Sequence, residues 1–234
     1  DVNAFGLGTS TVTGNLVANS GGAITQSGAL SIGGTTTLDA GAGDITLDDG
    51  GNDFAGAVSL TGGAVEINDA GTLRLAALDV ASLDASSHGL LDLGAGSIAG
   101  DLVADSNGGQ IGQSGPLEVG GSSTLDAGAA DITLLNTNND FVGAVSLTGG
   151  LVEVADRNQL TLGQVDATSL LALAATIALE QDIATTGDQT YAGAVLLDGD
   201  LALAAGGAVD FASTVTGPHA LSVTADGHVG FGDA

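Results

Sequence analysis

The residues of this chain that could do chemistry are mostly aspartates. Asp44, Asp48, Asp49, Asn52 and Asp53 crowd one Gly-rich stretch. Hard oxygen donors on such a corner suit Ca²⁺, with Asp48, Asp49 and Asp53 as candidate ligands. A similar segment 87 residues later replaces Asp48-Asp49-Gly-Gly with Leu135-Asn-Thr-Asn and keeps Asp131, Asn139 and Asp140. The calcium-binding nonapeptide G-G-x-G-x-D does not recur in tandem, so solvated turn acids are the alternative. His88, His219 and His228 are scattered among Gly, Ser and Pro, and the nearest two lie nine residues apart, not at metal-ligand spacing. There is no Cys, which excludes disulfides and thiolate metal sites. Glycoside hydrolysis needs convergent carboxylates. Nothing marks one acidic cluster as special. No catalytic residue, and no cofactor beyond possible Ca²⁺, is expected.

The acids must be positioned by turns. Of 28 acidic residues only Glu66, Glu118, Glu153 and Glu180 are Glu. Asp favours turns, where it bonds nearby backbone amides, while Glu favours helices. Two Arg and no Lys leave a net charge of −26. Nucleic acid and anionic membrane are therefore excluded as partners, since neither would be neutralised. Divalent cations and basic partners fit better. Asp1 opens an ordinary polar segment, not a signal peptide, and the longest apolar run, 170–179, is too short to cross a bilayer.

Repetition is the strongest signal. Residues 26–63 and 113–150 align at an offset of 87 without a gap, with 27 of 38 positions identical. A partial third copy restarts at Tyr191-Ala-Gly-Ala-Val195, matching Phe54 to Val58 and Phe141 to Val145. Phe54, Phe141 and Tyr191 read as packed core aromatics. A shorter period lies inside: Leu38, Val58 and Leu78 are 20 apart, as are Leu125, Val145 and Val165. About four such turns would make one block. The blocks span about 12–97, 98–184 and, in part, 185–234.

Within each turn the pattern is apolar–polar–apolar, as in Leu30-Ser-Ile32, Ile45-Thr-Leu47 and Val65-Glu-Ile67, which predicts strands with one buried face. Gly, Asn and Asp punctuate them. Only 170–179, rich in Ala and Leu, admits a short helix as a rival. Small aliphatics supply nearly all of the 44% hydrophobic fraction, and aromatics only 3%. That suits a narrow interior of stacked layers. The expected fold is all-β: a right-handed parallel β-helix, or β-solenoid, of about 20–22 residues per rung and about 11 rungs. It forms one continuous domain over 1–234. Neither Asp1–Thr13 nor Gly227–Ala234 reads as a cap, so a fragment of a longer rod, or a unit stacking end to end, is expected.

The phrases GGAITQSGALSIGGTTTLDAGAGDITL and NDFAGAVSLTGG, and the segment from Gln189 to Gly232, resemble the repeat rod of filamentous haemagglutinin-type adhesins. These are exported by two-partner or autotransporter-like secretion. The resemblance implies a secreted or cell-surface protein with a structural or adhesive role in adhesion, biofilm or matrix fibres. Its partners would be a host or bacterial surface protein or glycan, or copies of itself in a fibre. Two alternatives stand beside this reading. One is a self-assembling extracellular filament subunit. The other is a carbohydrate-active β-helix, a polysaccharide lyase or hydrolase. Lyases of that shape use Lys or Arg beside an acidic sugar, and here only Arg74 and Arg157 exist, at non-equivalent positions. Sugar-stacking aromatics are limited to Tyr191 and five Phe. The chain is therefore expected not to be an enzyme.

Overall fold

A computed structural model describes residues 3–232. The described residues form 27 strands and no helix, and every strand pair is parallel. The chain winds as a β-solenoid of about 11 turns. Most strands pair with strands one turn before and one turn after them; Asp53–Phe54 and Asp140–Phe141 pair only with the turn before. Neighbouring strands lie ~4.8 Å apart, so the rod is roughly 50 Å long.

Three faces surround one core, and each turn visits them in a fixed order. On face A the inward column runs Ile24, Ile45, Val65, Leu83, Leu102, Ser123, Val145. On face B it runs Ala18, Leu38, Leu60, Leu78, Gly96, Leu117. On face C it runs Leu73, Leu91, Ile111, Ile132, Val152, Leu170, Gln189, Val209. Strand alternation puts Leu30 and Ile32, or Ile45 and Leu47, inside while the residue between faces out. Burying each such side chain stabilises the rod by about 1.5–3 kcal/mol.

Two expectations about register need correction. Leu38 does not stack on Val58. It pairs with Leu60, 22 residues on, and Leu60 pairs with Leu78, 18 residues on. Val58 pairs with Thr36. Leu125 likewise stacks on Leu147, and Leu147 on Val165. A slip of two residues keeps every side chain on the same face, so burial alone cannot reveal it. The turn that holds the Asp48–Asn52 corner is the longer one; the next is shorter, 17 residues from Val58 to Leu75, and a one-residue bulge between Leu75 and Leu78 brings it to 18 from Leu60 to Leu78.

The block is also not a whole number of turns. Ile24 lies on face A, but its equivalent Ile111 lies on face C. Leu16 lies on face B and its equivalent Leu102 on face A. Leu30, which pairs with Ser10, belongs to the face C side, and its equivalent Leu117 to face B. Each block therefore makes four turns and one further face.

The 170–179 run is strand, part of Gln159–Leu179. Stacking on the turns before and after gives these backbone groups partners, and that outweighs the helix preference of Ala and Leu. Phe54, Phe141 and Tyr191 are buried, as expected. Tyr191 also starts an aromatic column with Phe211 and Phe231, whose stacked rings sit 5.3 and 5.1 Å apart. Gly96, at φ +137°, packs so tightly that a Cβ there would collide with the Leu78 carbonyl oxygen. The candidate cap segments fall partly on residues 1, 2, 233 and 234, which lie outside the described residues. No helix among the described residues is long and apolar enough to cross a membrane.

Candidate functional site

Asp48, Asp49 and Asp53 share a corner without forming a ligand set. Asp48 is exposed, and its carbonyl accepts from the Asn68 amide at 2.8 Å. Asp49 turns back on its own chain and accepts the Gly51 N–H at 2.9 Å. Asp53 lies exposed in a strand, in register with Ser31. Among the described residues no group of three or more His, Cys, Asp or Glu is placed to hold a metal ion. Asp48, Asp49 and Asp53 do not make up such a group. The Asp49 carboxylate caps a turn, while Asp48 lies at the corner and Asp53 in the strand that follows.

Most aspartates have structural work of two kinds. The first kind accepts the N–H two residues on: Asp39 from Gly41, Asp92 from Gly94, Asp105 from Asn107 and Asp126 from Gly128. The second kind accepts an N–H about one turn further along. Asp44 takes that of Ala64, Asp131 that of Leu151, Asp182 that of Ala202 and Asp188 that of Ala208. Asp101 accepts both the N–H and the hydroxyl of Ser122, which hold its carboxyl below the usual range. Asp200 is lowered in the same way, mainly by the Ala220 N–H. Acidic residues thus close corners and tie turns together.

A buried polar corner occurs twice, and sequence reading did not find it as a unit. Asn52 is fully buried. Its side-chain oxygen accepts from Leu30 N–H and the Gln26 amide, and its amide donates to Gln26 and the Leu47 carbonyl. Asn139 repeats this with Leu117, Gln113 and Leu134. Asp69 closes the same corner by accepting from Phe54 N–H and Gly71 N–H, both at 2.7 Å. Asp156 does so from Phe141 and Asn158. Burial pushes both carboxyls above the usual range, against the lowering effect of those hydrogen bonds. Asp53 adds to the rise at Asp69, and Asp140 at Asp156, where Arg157 opposes it. The available signal was polar identity at an offset of 87: Gln26 with Gln113, Asn52 with Asn139, Asp69 with Asp156.

The two arginines differ. Arg157 is not a lone charge: it bridges Asp140 and, at 3.4 Å, Glu118, stapling successive turns of face B. Arg74 lies beside Asp92 in register. His219 and His228 are exposed and face Asp200 and Asp210, at 3.5 and 2.9 Å. The outer surface carries shallow troughs. One on face A, of about 360 Å³, is lined by Asp44, Glu66, Asp84 and Asp101. Another on face B, of about 690 Å³, is floored by Ala77, Ala95 and Pro116 and rimmed by Asp79 and Glu118. These surfaces offer carboxylates and small apolar residues for contact.

A three-faced parallel solenoid built from tandem blocks, with its acids spent on corners, defines a repeat protein. The chain belongs to the family described as repeats of unknown function (DUF5649). The family model matches residues 1–61 and 83–148, together more than half of the chain. No curated protein and no solved structure matches it.

Proposed function

We propose that this chain is a structural and adhesive rod of an exported bacterial surface protein. The observation that carries this reading is the stacking of parallel strands turn upon turn around one core, which makes a stiff acidic spacer. The resemblance to haemagglutinin-type repeat rods supports export and adhesion. Stiffness projects contact surfaces away from a cell, and a charge of −26 keeps a long rod soluble and disfavours nonspecific association. Its partners are surface proteins or glycans of host or bacterial cells.

The test uses the purified chain on beads. Beads carrying it are expected to be retained on bacterial or epithelial surfaces above those carrying an unrelated acidic protein. Equal retention removes the adhesive role. Incubation with surface polysaccharides is expected to release no oligosaccharide. Release abolished by a single Asp→Asn substitution would replace the rod with a carbohydrate-active enzyme.

A further inference from the structure

The second block carries one residue that the first lacks. Leu16 and Leu102 are equivalent at an offset of 86, whereas Ile24 and Ile111 are equivalent at 87. Between them Asn19-Ser20-Gly21-Gly22 answers Asp105-Ser106-Asn107-Gly108-Gly109, so Asn107 is the addition. It makes the single Asn-Gly pair of the chain. The corner explains the residue types. Gly109 N–H donates to the Ser106 carbonyl at 3.0 Å, and the two residues between them both stand at positive φ, +48° for Asn107 and +90° for Gly108. Such a turn selects Asn followed by Gly. Among the described residues Asn107 is the only non-glycine residue at positive φ. Both residues are exposed.

We propose that Asn107-Gly108 is a modification site, at which the folded rod deamidates spontaneously. Gly108 has no Cβ to shield its amide nitrogen, and it follows the Asn107 side chain in an exposed turn. That nitrogen attacks the side-chain carbonyl carbon Cγ of Asn107. An N–Cγ bond forms, the Cγ–Nδ2 bond breaks, and Nδ2 leaves as ammonia with the Gly108 amide proton. Water then opens the cyclic imide. Addition at Cγ gives aspartate, and addition at the backbone carbonyl carbon gives isoaspartate. Two hydrogen bonds oppose the first step: Nδ2 donates to the Ser87 carbonyl at 2.9 Å and to Ser86 Oγ at 3.1 Å. They lie at the surface of a turn outside any strand, where local opening is easiest. The same bonds give the modification its consequence, because they tie this corner to the preceding turn. A carboxylate cannot donate them. Asp105 Oδ1, which accepts Asn107 N–H at 2.7 Å, already sets a carboxylate beside the new charge. Isoaspartate also lengthens the backbone by one carbon, at a corner where a Cβ on Gly109 would already collide with the Gly89 carbonyl oxygen. This inference does not depend on the adhesive reading.

The test incubates the folded chain in mildly alkaline buffer, digests samples with pepsin at acid pH and reads the peptides by mass spectrometry. The mass gain of amide-to-acid conversion is expected at Asn107, at least several-fold faster than at Asn138, an exposed asparagine followed by Asn139 instead of Gly. Asp49-Gly50, Asp198-Gly199 and Asp226-Gly227 can form the same imide but isomerise without a change of mass, so they do not enter the readout. Asn107→Gly keeps a residue suited to positive φ and is expected to fold and to lose the mass gain. Deamidated chain separated by anion exchange is expected to melt below the unmodified chain. Conversion at Asn107 no faster than at Asn138 overturns the proposal. Conversion that appears only in urea also overturns it, because the two hydrogen bonds then keep Cγ out of reach in the folded rod. Equal melting temperatures overturn the tie assigned to the Asn107 amide.

Discussion

At the scale of residues, buried polar groups separate into satisfied and unsatisfied ones. Asn52 fills its donors and acceptors inside the core. Asn52→Ala would strand Leu30 N–H and the Gln26 amide, at about 1–3 kcal/mol for each buried group left unpaired. Guanidinium unfolding is expected to show a loss of at least ~2 kcal/mol; a loss near zero would mean the corner contributes nothing. Thr36 is the opposite case. Its buried hydroxyl, like that of the equivalent Ser123, makes no hydrogen bond among the described residues. Thr36→Val keeps the shape and removes the unpaired group, so stability is expected to rise by about 1 kcal/mol. Asp69 gives the pH dependence. Its folded carboxyl titrates above the unfolded one, so the folded state holds the proton more readily. Its contribution to stability therefore grows as pH falls from neutrality through the folded value, and is complete below the unfolded value. Asp156 acts in the same direction, while Asp101 and Asp200 act oppositely. Asp69→Asn should flatten the rise in melting temperature between about pH 7 and pH 4 relative to the parent. An unchanged slope would remove Asp69 from the account.

At the scale of elements, a rung tolerates change where side chains face out and resists it where backbones meet. A methyl group added at Gly14 would meet nothing within 4 Å, whereas Gly96 sits at φ +137° against the Leu78 backbone. Gly96→Ala is expected to cost more than ~3 kcal/mol, and Gly14→Ala less than ~1 kcal/mol, by thermal unfolding. Similar values for both would show that the close approach at the face B bulge is not tight. The alternation Leu-Ser-Ile or Ile-Thr-Leu marked these strands plainly, because one buried face imposes a period of two. The same period hid the pairing. Leu38 with Val58 and Leu38 with Leu60 satisfy burial equally, and corner length chose between them.

At the scale of the whole molecule, the repeat should behave as a removable unit. Deleting 27–113 joins Gln26 to Ser114, positions that are followed by equivalent sequence. Every later strand would then stack on a homologue of its native neighbour, one face further round. The variant is expected to fold with a β-type circular dichroism spectrum, and small-angle scattering should show a rod shorter by roughly 20 Å. Deleting four whole turns would preserve the faces but pair unlike strands, and it should unfold at a lower temperature. Equal stability of the two deletions would show that strand identity does not matter.

The sequence by itself determined the solenoid: recurrent aliphatics, short alternation and Gly/Asp corners admit few other ways to bury 44% hydrophobic residues with so few aromatics. It also marked Phe54, Phe141 and Tyr191 as core. Register, the third of a turn gained per block and the Gln26–Asn52–Asp69 corner emerged only once the turns were stacked. The reason is physical. Burial is a local demand that each short strand meets alone, whereas stacking depends on the accumulated length of every corner between one turn and the next.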